Sequence, residues 1–289
     1  MAVVRKFGGR RSRGIVWVCD IASSSKYLNN NDSAAALEMF LQRFLFISLI
    51  FVEASGGTFV KWTGDGFLAW FETPLLREAG DIASRVFNAA WNLTLYVNVS
   101  QLGVKAPAKF KIRHAVTFEH DALVLDLEYS DKNATDVLGR AVVLAFRLSS
   151  IKSGFPSIVT QGELIKVTED TSTVKFRKLR FSKEEKLKYF KDEPWGTSDV
   201  FASCEGGRNK LSLNTLLKRT KKIIDEAEGK QPFASSHRGF VEKVVLELSN
   251  GPDWCRDVQT TLSKFTREGL LGSLKAIVPI LEERGIVAD

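Results

Sequence analysis

The 289-residue chain, 44% hydrophobic and 26% charged, has the balance of a folded globular protein and is wrong for a disordered one. Its formal net charge is +7, but Arg5, Lys6, Arg10, Arg11 and Arg13 supply five of those charges before residue 14, leaving 36 basic against 34 acidic residues in the rest. That distribution describes a basic tail over residues 1–13 and does not indicate a broad nucleic-acid-binding face. The apolar runs at 44–47 and 49–52 are interrupted by Ser48, and a bilayer crossing needs roughly 20 apolar residues, so no membrane span is expected. The basic N-terminus leads into glycines and arginines without an apolar h-region, unlike a secretory signal. Cys19, Cys204 and Cys255 are odd in number and scattered, which excludes a disulfide framework and predicts a cytoplasmic chain with reduced thiols.

Residues 14–20 are β-branched and aromatic and end in a carboxylate, which predicts a buried strand with Asp20 at its C-terminal end. A polar loop follows. Asp32 or Ser33 then caps a helix with the core stripe Leu37, Phe40, Leu41, Phe44 and Leu45, ended by Gly56-Gly57. Two β-prone runs, 58–63 and 67–71, flank Gly64-Asp65-Gly66 and predict a hairpin. A second helix is expected over about 78–97, a half-buried strand over 110–118, an almost wholly apolar helix over about 139–151 and a short strand over 157–160. The order predicts an α+β sandwich, one mixed or antiparallel sheet flanked by helices.

Beyond about residue 165 the character changes. Residues 174–181 alternate apolar and basic, 182–193 are charge-rich, and 211–227 and 258–283 have helical patterns. A boundary is placed there, dividing a domain over 14–165 from a mostly helical C-terminal extension over 166–289. His114 lies on the apolar face of its strand and reads as a buried, satisfied histidine; His120 and His237 have no partner at metal-ligand spacing. The stripe Lys175, Arg177, Lys178 and Arg180 reads as a solvated strand face.

Two carboxylates stand where strands end, Asp20 after the first strand and Asp65 at the hairpin tip. Adjacent strands can bring such ends together, and paired carboxylates suit Mg²⁺ or Mn²⁺ bridging a triphosphate, because hard cations prefer oxygen ligands. Taken singly, each aspartate is also an ordinary turn or cap residue.

The combination says more. Asp20-Ile21, Ser24-Ser25, Gly56-Gly57 and Lys61-x-x-Gly64-Asp65-Gly66 resemble, in order and spacing, the motifs of the class III nucleotidyl cyclases, the adenylate and guanylate cyclase family. The run from Asp136 through Gly139, Val142, Val143 and Ala145 to Arg147 resembles that family's later signature. The resemblance covers residues 14–165. It implies two Mn²⁺ or Mg²⁺ ions per site held by Asp20 and Asp65 with the Ile21 carbonyl. It further implies phosphate binding by Ser23, Ser24 and Ser25, base reading by Lys61 and Asp136, and transition-state stabilisation by Arg147. The implied reaction closes a nucleoside triphosphate to a 3′,5′-cyclic nucleotide with release of pyrophosphate, at sites shared between the two subunits of a homodimer. Arg147 sits among apolar neighbours in the sequence, which by itself is compatible with a structural ion pair or with a phosphate-binding role.

Val143 departs from the pattern, standing where the family usually has a ribose-positioning Asn, a loss worth about 3 kcal/mol if nothing replaces that hydrogen bond. The donor Lys61 and acceptor Asp136 match adenine, cytosine or uracil, and guanine less well. A second resemblance, to the bacterial pyrimidine cyclases of the Pycsar anti-phage systems, favours UTP, then CTP, with ATP as the alternative. Phe59, placed by alternation on the Lys61 face with Trp62 on the other, is expected to narrow the base pocket. A non-catalytic nucleotide-binding or dimerisation module is the other reading, which Val143 suits.

Overall fold

The computed structural model describes residues 4–29, 31–100, 110–129, 133–151, 158–168, 174–190, 199–204 and 213–229, together with 271, 272, 275, 278, 279 and 282. The elements in order are β1 (Val4–Ile21), α1 (Asn31–Ala54), β2 (Thr58–Trp62), β3 (Gly66–Glu72), α2 (Gly80–Ser100), β4 (Ile112–Tyr129), β5 (Asn133–Leu138), α3 (Arg140–Ser149), β6 (Ile158–Gln161), α4 (Gly162–Thr168), β7 (Phe176–Lys178), α5 (Lys183–Phe190), β8 (Val200–Ser203) and α6 (Leu213–Ala227). The strands form one sheet in the order β2-β3-β1-β4-β6-β8-β7, with β5 added on β4. β1 with β3, β2 with β3 and β4 with β5 are antiparallel, whereas β4 and β6 run parallel. The expected α+β architecture, a mixed sheet flanked by helices, is therefore present.

Chain contacts divide the protein into two compact units. One comprises 1–20, 57–88 and 113–208 and contains the sheet; the other comprises 21–56, 89–112 and 209–289, and its described residues are mainly helical. In the first, β1 is the spine. Residues Ile15 through Cys19 are all 0% exposed, so the strand is buried on both faces, as a run without polar alternation requires. Val16 and Val18 join Leu68, Trp70, Ala115, Val124 and Val137 of the sheet and Val142, Leu144, Ala145 and Leu148 of α3 in one apolar core. On the opposite face, Trp17 packs edge-on against Phe67 at 5.1 Å.

The second unit has its own aromatic contacts, Phe40 of α1 lying 4.4 Å from Phe110 and Tyr27 4.8 Å from the same ring. Helix α1 is the one described helix long and apolar enough to cross a membrane, over Asn31–Glu53 with mean hydropathy 1.8. The sequence reading missed this because it counted unbroken runs, while isolated polar residues such as Ser48 barely lower a window average. Leu37, Phe40, Phe44, Ile47, Phe51 and Val52 are nevertheless buried in the fold, the stripe of a core helix.

Three expectations require correction. Residues 4–13 are not a tail: β1 begins at Val4, and three of the guanidinium groups that looked like a loose basic tail have partners on neighbouring strands. Arg10 forks onto Glu72, Arg11 pairs with Asp121 at 3.1 Å, and Arg13 donates to the His120 carbonyl at 3.1 Å. Strand β4, expected over 110–118, runs from Ile112 to Tyr129, and its polar Glu119-His120-Asp121 segment is hydrogen-bonded in place. Finally, the sheet runs through the boundary placed near residue 165, since β8 pairs with β6 and β7 with β8. Helix α5 lies in the stretch read only as charge-rich. Its start is a reciprocal capping box, the Ser182 hydroxyl accepting the Glu185 N–H at 3.1 Å and Glu185 accepting the Ser182 N–H at 2.9 Å. Helix α6 matches the 211–227 expectation, while most of 258–283, with His237 and Cys255, lies outside the described residues. Lys175, Arg177, Lys178 and Arg180 are exposed, as a solvated face should be.

His114 is fully buried, and its Nδ1 accepts the Trp17 indole N–H at 3.1 Å. Burial pushes its pKa down to about 3, so the folded protein holds a neutral imidazole that the unfolded chain protonates near pH 6.5. The folded state therefore binds fewer protons between those values, and His114 contributes stability that is present above pH 6.5 and lost as pH falls toward 3. Unfolding free energies from urea titrations at pH 7 to 4.5 should fall by up to about 1.4 kcal/mol per pH unit through this group, and His114→Gln should flatten that slope. An unchanged slope in the variant would refute the assignment.

Candidate active site

Asp20 is the penultimate residue of β1, and its Cα pairs with Gly66 at the start of β3. The hairpin tip between β2 and β3 is therefore laid directly over the end of β1. Gly64 takes φ +96°, a left-handed conformation that glycine adopts without strain. Gly66 is required for a different reason: a Cβ there would stand 1.9 Å from the Cys19 carbonyl oxygen, a backbone atom with no freedom to yield. The turn is closed by a 2.8 Å bond from the Thr63 N–H to the Gly66 carbonyl and pinned by the Trp62 indole, which donates to the Gly64 carbonyl at 2.7 Å. Asp65 is thereby held beside Asp20.

The two carboxylates feel each other. Asp20 is raised to a pKa of about 6, first by burial, against the pull of Arg113, with the Asp65 charge adding to the rise. The same two negative charges, after burial itself, push the Cys19 thiol well up, so this cysteine stays protonated. Arg113, on β4 next to β1 in the sheet, forks onto Asp20: Nε donates to Oδ1 at 3.1 Å and Nη2 to Oδ2 at 2.9 Å. The sequence analysis assigned Arg113 no role, because only the pairing register reveals its partner.

Lys61 and Asp136 meet across elements 75 residues apart. Nζ lies 2.8 Å from both carboxylate oxygens, and Oδ1 also accepts the Val137 N–H at 2.8 Å. The side chains are 45% and 28% exposed, so the pair opens onto solvent.

Phe59 is not where alternation placed it. A register shift between Phe59 and Lys61 bulges β2, pairing Lys61 with Leu68 and Trp62 with Phe67. Lys61 thus shares the face of Leu68 and the α3 core, against which Val60 also packs. Phe59 sits on the other face, 5.5 Å from Phe67 and stacked 6.5 Å from Trp62 at an interplanar angle of 10°. It does not wall the Lys61 side, and the argument that it narrows a base pocket falls with it.

Arg147 and Val143 are on α3, one helical turn apart. Buried positions 141, 142, 144, 145, 148 and 149 form the core stripe, which leaves Val143 (47% exposed), Phe146 (38%) and half-buried Arg147 on the outward face. Arg147 is therefore not embedded among the apolar residues that flank it in sequence. The helix start is held from the sheet. Glu119, 5% exposed, accepts the Ala141 N–H at 2.7 Å through Oε2 and the Asp121 N–H at 3.1 Å through Oε1, while the Thr117 hydroxyl donates to the Ala141 carbonyl at 2.9 Å. A carboxylate at a helix N-terminus is favourable both as a cap and against the dipole. Neither Glu119 nor Thr117 was foreseen. His120 has a partner, Glu163 at 3.1 Å.

Ile21 and Ser23–Ser25 belong to the second unit. Ile21 is buried, Ser23 has φ 60°, and Ser24 opens a short 3-10 helix over Ser24–Asn29.

Among the described residues no group of three or more His, Cys, Asp or Glu side chains gathers as a metal cage. The donor set present is two carboxylates, which fits Mg²⁺ or Mn²⁺ completed by water and phosphate oxygens, since these ions usually take only one or two protein carboxylates at nucleotide sites.

No protein-family model and no curated protein sequence matches the chain. Solved structures do. The adenylyl cyclase CyaB from P. aeruginosa superimposes with a TM-score of 0.53 at 19% identity, over 70% of this chain and 98% of that one. The guanylyl cyclase Cya2 gives 0.51 at 18%, over 71% and 98%. The fold is that of the class III nucleotidyl cyclases. Within a class III fold, the sheet brings Asp20 to Asp65 and Lys61 to Asp136, the two pairs the motifs singled out.

Gly66→Ala should cost at least about 2 kcal/mol, because the collision is with backbone and cannot be relieved by a rotamer change. Glu119→Ala should cost about 1–2 kcal/mol by leaving the Ala141 N–H without its acceptor. Urea denaturation of each variant measures both, and a Gly66→Ala protein of wild-type stability would contradict the close apposition.

Proposed function

We propose that this chain is a divalent-metal-dependent nucleotidyl cyclase that converts a nucleoside triphosphate to a 3′,5′-cyclic nucleotide and pyrophosphate. The observation that carries the reading is the placing of Asp65 beside Asp20 by the hairpin tip of a class III fold. Asp20 and Asp65, with the Ile21 carbonyl, would hold two Mg²⁺ or Mn²⁺ ions, which supply Lewis acidity toward the ribose 3′-oxygen and the phosphates. Lys61 donates to an acceptor on the base and Asp136 accepts from its donor. Their mutual ion pair is solvent-exposed and worth at most about 1 kcal/mol, so it opens readily for a base. Arg147 offers a planar fork of donors to phosphate oxygens. Ser23, Ser24 and Ser25 bind phosphate. The 3′-oxygen bonds to the α-phosphorus as the bond to the β-phosphate oxygen breaks, and the hydroxyl proton leaves to solvent.

The functional unit in this reading is a homodimer in the cytoplasm, with Asp20 and Asp65 of one subunit facing Lys61, Asp136 and Arg147 of the other. UTP is the favoured substrate and CTP the next, in anti-phage defence, on the resemblance to the pyrimidine cyclases alone. Phe59 lends this no support, and Lys61 with Asp136 suits adenine as well. Val143 favours a second reading, a non-catalytic nucleotide-binding or dimerisation module.

Purified protein with Mn²⁺ and each of ATP, GTP, CTP and UTP, analysed by mass spectrometry, should yield cyclic UMP, and Asp65→Ala should abolish it. Cyclic AMP instead would make it an adenylate cyclase, and no product from any nucleotide would favour the binding module. Shared sites carry their own prediction: Asp65→Ala and Arg147→Ala homodimers are inactive, but subunit exchange at equal amounts restores about a quarter of wild-type activity, one intact site in each heterodimer. No recovery after verified exchange would refute them.

A further inference from the structure

Asp20 already holds a cation, and it is one of the chain's own. Arg113 covers both carboxylate oxygens, Nε on Oδ1 at 3.1 Å and Nη2 on Oδ2 at 2.9 Å, and the pair is largely withdrawn from solvent, the side chains being 15% exposed for Arg113 and 22% for Asp20. A bidentate fork of this kind is the strongest contact a guanidinium makes with a carboxylate. It is also fixed by topology, because Arg113 and Asp20 stand on adjacent strands, and it faces a second negative charge, Asp65, whose field reaches Asp20.

A divalent cation on Asp20 has to take an oxygen from this fork or sit beside a guanidinium charge at close range. We propose that Arg113 competes with the divalent cation for Asp20 and thereby sets the metal affinity of the site, the metal entering as the fork lets go. This rests on the metal-dependent reading of Asp20 and Asp65 given above. In the absence of metal the guanidinium keeps two neighbouring carboxylates compatible with a folded strand end. When metal enters, the positive charge it brings makes that service redundant, and the freed guanidinium suits a phosphate oxygen as well as it suited the carboxylate. Arg113 is on this account a positioning residue whose removal tightens binding of the bare ion.

Titration of the nucleotide-free protein with Mn²⁺, read from the paramagnetic resonance signal of free aqueous Mn²⁺, tests it without any turnover. Arg113→Gln should bind Mn²⁺ about tenfold more tightly than wild type, and Arg113→Lys, which cannot cover both oxygens, should fall between them. Mn²⁺ should also raise the melting temperature of Arg113→Gln by more than that of wild type, since the variant starts with Asp20 stripped of its guanidinium partner. If Arg113→Gln loses its helical circular dichroism, the comparison of Arg113→Lys with wild type decides. Wild-type protein that binds Mn²⁺ while the folded variants bind it equally or more weakly would overturn the competition and leave the cyclase reading standing. No Mn²⁺ binding by wild type or variants, with Asp65→Asn likewise silent, would overturn the metal-site reading and the competition together.

Discussion

The close approach of the Gly64-Asp65-Gly66 turn to the end of β1 governs the site. With Gly66 Cα opposite Asp20 and no room for even a methyl group above the Cys19 carbonyl, the turn lies against the strand, and the acidic residue it carries cannot be elsewhere. Two carboxylates in a half-buried place would repel each other and the protein would lose stability by ionising both. Burial raises Asp20 to about 6 even with a guanidinium beside it, so desolvation outweighs the ion pair there. The geometry creates an electrostatic deficit that one arginine relieves only in part, a deficit that the doubly charged ion of the proposed reading would relieve further.

Side-chain alternation then decides what shares this environment. Along β1, Val16, Val18 and Asp20 have one parity and Ile15, Trp17 and Cys19 the other. The first set faces the α3 core, and Arg113 shares the parity of Ala115 in that core. The bulge in β2 turns Lys61 to the same face. Without it, alternation from Phe59 would have kept Lys61 with the aromatic cluster of Phe59, Trp62 and Phe67. One irregular residue pairing thus separates a face that carries charge from a face that carries only packing.

What the sequence revealed, and what it hid, follow the range of the interactions. Local signals survived: the buried strand ending in Asp20, the Gly-Asp-Gly hairpin, the apolar stripe of α3 and the buried His114 all depend on neighbours within a few residues. Motif spacing also recovered the pairs Asp20 with Asp65 and Lys61 with Asp136, which no periodicity implies. Interactions set by register were invisible. Arg113 on Asp20, Glu119 on the start of α3 and Arg11 on Asp121 join residues from 22 to 110 positions apart, and nothing local marks them. The same blindness turned residues 4–13 into a tail, because their basic side chains look unpartnered until β3 and β4 are laid alongside. Phe59 was misplaced because a bulge has no signature in a five-residue strand.

Glu119 connects these levels. It is a carboxylate that the low-dielectric interior would reject as a lone charge, yet it is held there by two backbone N–H donors, one of them the second residue of α3. The sheet thereby fixes where the helix begins, and the helical period fixes which residues it presents outward, Val143, Phe146 and Arg147. Val143 offers no hydrogen bond where the cyclase motif has an amide. In the proposed homodimer, with this face covered, Val143 and Phe146 would exclude water around Arg147, and a guanidinium in that drier environment would act more strongly on a phosphate charge than one in solvent. On that proposal Val143 would give up a directional contact with ribose for desolvation of the neighbouring charge, on a helix whose first turn Glu119 and Thr117 tie to the sheet.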